Sequence, residues 1–332
     1  MGKILVLFSG GTLSMAPNTD GVLAPSDNAE TILKTVPGLR EAADCDFELV
    51  CNIDSSNMQP EIWADLAQRI ARAYDRYDGF VIAHGTDTMA YTASALSFAL
   101  GNLGKPVVLT GSQKPLISLA TDGINNLINA VRVAQMDLGE VCIVFGTRIL
   151  QGNRSTKESD TKLNAFRSPI AFPIGEIEID AYLRGQYTPR HEKKLTLQAA
   201  FENRIVVFQL FPGMEPDLIE RVLVGNTCKG IVMLGFGPGN IPNGGRSLIG
   251  VIEQATAVGI PVLVTTQCSL RRGDMRQYLV GFDAVTAGAI SALDMTDEAA
   301  ITKFMWVLAQ TQNPADVKRM MQTNYAGELT LS

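Results

Sequence analysis

Seven short runs rich in valine, isoleucine and leucine constrain the fold more than any other feature of this chain. They lie at 3–11 (KILVLFSGG), 79–86 (GFVIAHGT), 105–113 (KPVVLTGSQ), 140–146 (EVCIVFG), 203–210 (NRIVVFQL), 229–237 (KGIVMLGFG) and 260–268 (IPVLVTTQC). Most lack the polar–apolar alternation of a half-exposed strand, so they need cover on both faces. The stretches between them supply it. Residues 60–74 carry Ile62, Leu66, Ile70 and Tyr74 at every fourth position behind Pro60, which suits a first helical turn. Residues 88–102 are rich in helix formers and stop near Gly101, and 121–135 place Leu127, Ala130 and Val131 on one face. Such alternation predicts parallel α/β sheets with right-handed crossovers. The polar, charged stretch 183–203 breaks the rhythm and reads as a linker. The expected fold is α/β: a larger N-terminal parallel-sheet domain over 1–182 and a smaller C-terminal α/β domain over 204–332.

Composition narrows the class of function. Of 332 residues 46% are hydrophobic and 19% charged, which excludes a disordered chain. The net charge is −6 and no basic stripe stands out, so no nucleic-acid partner is expected; Arg271 and Arg272 read as solvated loop or interface charges. No apolar run approaches the roughly 20 residues that span a bilayer, and the opening MGKILVLFSGG is too short in its apolar part for a signal peptide. The five cysteines (45, 51, 142, 228 and 268) form no C-x-x-C pair and read as reduced thiols of a cytoplasmic protein. His84 and His191 stand far apart, so a zinc or iron site lacks obvious ligands. No metal is expected, and no cofactor.

Ligands of open α/β sheets bind beyond the carboxyl ends of the strands, and two of the runs end in unusual loops. One is Ser9-Gly10-Gly11-Thr12; the other is His84-Gly85-Thr86-Asp87-Thr88. Glycines permit a sharp turn and close approach to a ligand, but a Gly-Gly turn is equally a plain turn or a phosphate loop. A Walker sequence is absent, and GFGPGN at 235–240 does not fit G-x-G-x-x-G. His84 reads as a strand-end histidine bonded to backbone. Asp87 or Thr88 serves equally as a helix cap or as part of a site. Asp54-Ser55-Ser56-Asn57 precedes the helix at 60 and reads in part as a capping turn. Lys157 lies in the polar loop GNRSTKESD, and Ser112 ends the run begun at Lys105.

Together these loops resemble the L-asparaginase/glutaminase family of threonine amidohydrolases, and look closest to its cytosolic, type I branch. DGFVIAHGTDTM, DSSNM, NLGKPVVLTGSQ, GNRSTK and the GxGN of FGPGN carry the likeness, which runs essentially end to end, including the late YAGEL. The resemblance implies a nucleophile at Thr12, with Thr86, Asp87 and Lys157 completing the catalytic set. It implies substrate contacts from Asp54, Ser55, Ser56, Thr86, Asp87 and Ser112, and from Asn240 across a subunit interface. It further implies a homodimer or homotetramer hydrolysing a small substrate, L-asparagine, through an ester on Thr12. Backbone N–H groups around Gly11 and Thr86 are the expected oxyanion donors. Two positions depart from the family's pattern. Ser9 stands where threonine is usual, and Val22 where the mobile loop carries a tyrosine; no tyrosine precedes Tyr74. The second departure leaves three outcomes open: another residue makes that contact, Thr12 is less activated, or the activity is altered. A glutaminase, a non-catalytic asparagine sensor and a nucleotide-binding protein are the rival readings.

Overall fold

The computed structural model describes residues 2–26, 36–270 and 274–330, so Arg271 and Arg272 lie outside the described residues. The chain divides into two compact units, Met1–Ala199 and Ala200–Ser332.

The first unit is built on an eight-stranded sheet. Its strands are β1 (Lys3–Gly10), β2 (Asp44–Ile53), β3 (Gly79–Ala83), β4 (Val107–Thr110), β5 (Val141–Phe145), β6 (Arg148–Gln151), β7 (Gly175–Ile177) and β8 (Ala181–Leu183). In space they run β8-β7-β6-β5-β4-β3-β1-β2, parallel from β2 to β5 and antiparallel from β5 to β8. The parallel strands thus follow the order 2-1-3-4-5, whose reversal falls between β1 and β3. Every residue of β3, β4 and β5 is buried, and all of β1 past Lys3, as their unbroken apolar runs require. Ile4, Val6 and Phe8 of β1 share one core with Val81, Val108, Cys142 and Val144 of its neighbours. That core is covered by Leu127, Ala130 and Val131 of the helix α3 (Gly123–Val133). Leu5, Leu7, Ile82, Leu109 and Ile143 alternate with this set and are equally buried. Helix α1 (Pro60–Ala73) starts on proline and buries Trp63, Leu66, Ala67, Ile70 and Ala73, so its apolar stripe centres on Trp63 and leaves Ile62 and Tyr74 half-buried. Helix α2 (Met89–Ala99) is buried nearly all round.

The stretch expected as a linker lies along the first unit up to Ala199. Thr196–Leu197 pairs with Leu100–Gly101. The Arg190 guanidinium donates to the carbonyls of Met136 (2.7 Å), Ala134 (3.1 Å) and Asp78 (2.7 Å), capping the end of α3. Its polar residues serve this backbone docking, a pattern that composition does not separate from solvation.

The second unit carries a parallel sheet in sequential order: β9 (Ile205–Gln209), β10 (Gly230–Gly235), β11 (Val262–Thr266) and β12 (Ile290–Ser291). Helices α4 (Ile249–Ala257), α5 (Leu279–Thr286), α6 (Asp297–Leu308) and α7 (Pro314–Met321) follow. The architecture is therefore the expected one: a large, mostly parallel α/β unit and a smaller parallel α/β unit.

Candidate active site

The reversal of strand order places the ends of β1 and β3 side by side, paired to Phe8–Ala83. There Gly10 and Gly11 adopt φ of 106° and 88°. A Cβ on Gly10 would sit 2.2 Å from the Ile53 carbonyl oxygen, and one on Gly11 2.4 Å from the Gly85 Cα. Glycine is thus required twice over, by backbone angle and by contact. The consequence is that the two loops touch through backbone, one residue before Thr12 in the first and one before Thr86 in the second. Thr12 opens a short 3-10 turn, Thr12–Ser14, and is half-buried.

Lys157 follows β6 and a 3-10 turn, Gly152–Arg154, and lies on a two-residue strand that pairs with Phe166–Arg167. Its Nζ donates to Thr86 Oγ1 at 2.8 Å and to Asp87 Oδ1 at 2.5 Å. The lysine side chain is 19% exposed and that of Asp87 59%, so the pair opens toward solvent at one end. Neither Asp87 nor Thr88 caps α2. The helix has no side-chain cap bond; Asp87 turns to Lys157, and Thr88 Oγ1 donates to the Ser55 carbonyl at 2.7 Å. The capping alternative at these residues is thereby removed.

Asp54, Ser55 and Ser56 form a turn beside them. Asp54 Oδ1 accepts from Ser56 N–H (2.8 Å) and Ser56 Oγ (2.6 Å). These bonds, with help from the charge of Lys157, hold the Asp54 carboxyl below its usual range. Ser55 Oγ accepts the Asp87 N–H at 3.2 Å, which leaves its own proton free to donate. Gly85 is required here as well, because a Cβ on it would meet Ser55 Oγ at 2.5 Å. Ser112 Oγ is buried without a hydrogen-bond partner among the described residues. In the second unit, Asn240 forms a bridge with Phe236 after β10, and its Oδ1 is likewise buried without a donor among them.

One reading of the sequence is refined. Of the N–H groups around Gly11, that of Gly11 itself donates to the Ile53 carbonyl at 2.9 Å and so is occupied. Val22 is 61% exposed, on the hairpin that joins Met15–Pro17 to Leu23–Pro25, with its N–H on the Asn18 side chain. Ser9, in place of threonine, donates to the Ala83 carbonyl at 3.1 Å inside the gap between β1 and β3. Sequence reasoning passed over Gln113. Its Nε2 donates to the carbonyls of Lys162 (3.1 Å) and Ser159 (3.4 Å) and so pins the loop that carries Lys157.

Comparison with known proteins agrees with this geometry. Residues 3–188 match the family "Asparaginase, N-terminal" and residues 204–321 the family "Glutaminase/Asparaginase C-terminal domain". The chain belongs to the asparaginase family. It is 38% identical to L-asparaginase 1 of Escherichia coli, over 99% of this chain and 98% of that protein. It is also 38% identical to a glutamyl-tRNA(Gln) amidotransferase subunit of Pyrococcus abyssi, over 99% of this chain and 77% of that one. Among solved structures, the thermostable L-asparaginase from Thermococcus kodakarensis superposes with a TM-score of 0.90 at 36% identity, covering 99% of this chain and 100% of that one. An asparaginase-family hydrolase acts on a small substrate, and the linked Lys157, Thr86 and Asp87 form a polar group suited to moving protons beside one. Among the described residues no helix is long and apolar enough to cross a membrane.

Proposed function

We propose that this protein hydrolyses the side-chain amide of L-asparagine to L-aspartate and ammonia, with Thr12 as nucleophile. The observation that carries the reading is the Lys157 Nζ bonded at once to Thr86 Oγ1 and Asp87 Oδ1, in a loop packed against the Gly11 that precedes Thr12.

An amide is a poor electrophile and a threonine hydroxyl a poor nucleophile, so two steps are easier than one. Thr12 Oγ attacks the amide carbon and gives up its proton through the Thr86–Lys157–Asp87 group. The amide nitrogen takes up that proton and leaves as ammonia, and an aspartyl ester remains on Thr12. Water then adds to the ester, the same group returns a proton to Thr12 Oγ, and aspartate departs. The negative oxygen that forms in each step is met by the Thr86 N–H. The exposed carboxylate of Asp87 attracts the substrate's α-ammonium, and the free proton of Ser55 meets its α-carboxylate, with Asp54 and Ser56 holding the turn. Ser112 faces the substrate side of the loop in this reading. Asparagine is favoured over glutamine by the L-asparaginases among the relatives, which match nearly the whole of both chains. A methylene is worth only about 1–3 kcal/mol in a pocket, so glutamine is expected as a weaker substrate.

The unpartnered Oδ1 of Asn240 supports a homodimer or homotetramer in which Asn240 completes a partner's pocket; light scattering measures the mass. Five free cysteines support a cytoplasmic location.

The test is ammonia release from asparagine and glutamine, run beside Thr12→Ala. The variant is expected to lose turnover while still binding aspartate; full turnover by it refutes the nucleophile. Val22 motivates one rival, the sensor: asparagine would raise the Tm of the wild type and release no ammonia.

A further inference from the structure

We infer that His84 is a positioning residue that holds the Gly85–Thr86 peptide plane, so that the Thr86 N–H faces the reacting carbonyl oxygen. The inference rests on the amidohydrolase reading above and deepens it.

His84 is wholly buried at the end of β3, and its own N–H donates to the Thr110 carbonyl at 2.8 Å. Its ring makes two bonds: Nδ1 lies 2.6 Å from the Gly85 carbonyl oxygen, and Nε2 lies 2.8 Å from Thr92 Oγ1. A carbonyl has no proton to give, so the first contact requires the proton on Nδ1. A neutral ring then leaves Nε2 as an acceptor, and Thr92 must donate to it. The Thr92 oxygen in turn accepts from the Trp63 indole N–H at 3.0 Å, and indole is a donor only. Donation therefore runs one way, from Trp63 through Thr92 and His84 to Gly85. Burial opposes a charged ring and pushes its pKa down to about 4, which favours the same neutral tautomer.

The end of this relay is the carbonyl of the peptide that begins Thr86. All peptide bonds among the described residues are trans, and in a trans peptide the C=O and N–H point to opposite sides. Gripping the Gly85 carbonyl on the core side thus turns the Thr86 N–H away from the core, toward the side that holds Thr12 and Lys157. No acceptor takes this N–H among the described residues, although buried backbone donors are almost always paired. Of the donors expected around Gly11, the N–H of Gly11 itself is spent on Ile53. The Thr86 peptide therefore carries more of the oxyanion's stabilisation, and its orientation depends on a side chain that never touches substrate.

The experiment compares His84→Leu, which removes the donor, with His84→Asn, whose Nδ2 keeps a donor near the place of Nδ1. For His84→Leu, kcat for ammonia release is expected to fall roughly 10²–10³-fold, as when one oxyanion donor is lost, with KM for asparagine little changed. His84→Asn is expected to recover all but about tenfold of it. Equal losses in both variants, or a rise in KM alone, overturn the inference. If His84→Leu does not fold, Thr92→Val decides, because it frees Nε2 to take the proton. A lowered kcat at constant KM is then expected, and an unchanged kcat overturns the inference. A crystal structure of His84→Leu or Thr92→Val is read independently of turnover. The Gly85 carbonyl is expected to rotate from its native direction, and an unmoved peptide overturns the inference. If the wild type releases no ammonia from asparagine, the functional reading fails by itself and the peptide orientation still decides the role of His84.

Discussion

Two lysine–carboxylate pairs in this protein share their chemistry and differ in what surrounds them. Lys157 meets Asp87 at 2.5 Å, and Lys303 meets Glu328 at 2.6 Å. Both side chains of the second pair are fully buried, whereas those of the first are 19% and 59% exposed. Lys303 uses all three hydrogens: besides Glu328 it donates to the carbonyls of Met321 (2.9 Å) and Thr323 (2.6 Å). Glu328 in turn accepts the N–H groups of Tyr325 (3.1 Å) and Ala326 (2.8 Å). This pair fastens the YAGEL turn onto α6, and every valence is filled. Around Lys157 a valence stays open: the second oxygen of Asp87 has no donor among the described residues, while Thr86 Oγ1 accepts from Lys157 at 2.8 Å and donates only over a long 3.5 Å contact to Gln113 Oε1. The contrast separates a clamp from a site. A saturated buried pair holds a fold in place, and an unsaturated pair at an opening can hold a substrate.

Breaking each pair should therefore fail in a different measurement. Lys157→Met is expected to lower kcat by roughly 10³-fold, the middle of the range for a proton-transfer group, and to leave the Tm nearly unchanged. A rise in KM without loss of kcat would reduce Lys157 to a binding role. Lys303→Met strands the Glu328 charge and two carbonyls in the interior. It should cost about 3–5 kcal/mol in urea unfolding, with turnover per folded chain retained. Loss of turnover without loss of stability would erase the distinction between the two pairs.

The two pairs also differ in how far the sequence reveals them. The parallel strands were legible because a run such as Phe80–Ala83, buried on both sides, has no polar residue to hide it. The threonine loops were legible because glycines at strand ends mark close approach. β2 was not, since its burial is partial and Asp44, Asp46 and Glu48 interrupt its apolar residues, as befits an edge. Lys157 read as solvated until the family resemblance gave it a role, because its partners lie 70 and 71 residues away along the chain. Lys303 left no trace: a lone lysine in a helix reads as a solvent-facing charge, and only tertiary contact supplies its three acceptors. Local pattern reports which residues are apolar, and it is silent on which polar groups are paired.

His84 shares a trait with each pair, saturated like Lys303 yet next in sequence to the Gly85–Thr86–Asp87 loop, and this predicts a third and smaller effect. Its pKa falls from an ordinary 6.5 to about 4 because burial disfavours the charged ring. In the unfolded chain it protonates near 6.5, whereas in the folded protein it stays neutral down to about 4. Between those values the unfolded state binds the extra proton, so stability is fully present above 6.5, falls as pH drops, and levels off below about 4. The span corresponds to about 3 kcal/mol. Other groups act elsewhere or with the opposite sign. Asp54, lowered by its Ser56 bonds, loses its contribution only below its ordinary 3.8. Burial raises the Glu140 carboxyl above 4.5, so that group favours folding as pH falls through its range. The informative quantity is therefore the wild-type stability minus that of His84→Asn, measured by urea unfolding at several pH values, since the other groups cancel in it. That difference is expected to shrink from pH 6.5 to pH 4. A constant difference would mean that the histidine titrates alike in both states, and that the saturated chain from Trp63 to Gly85 does not hold the ring neutral.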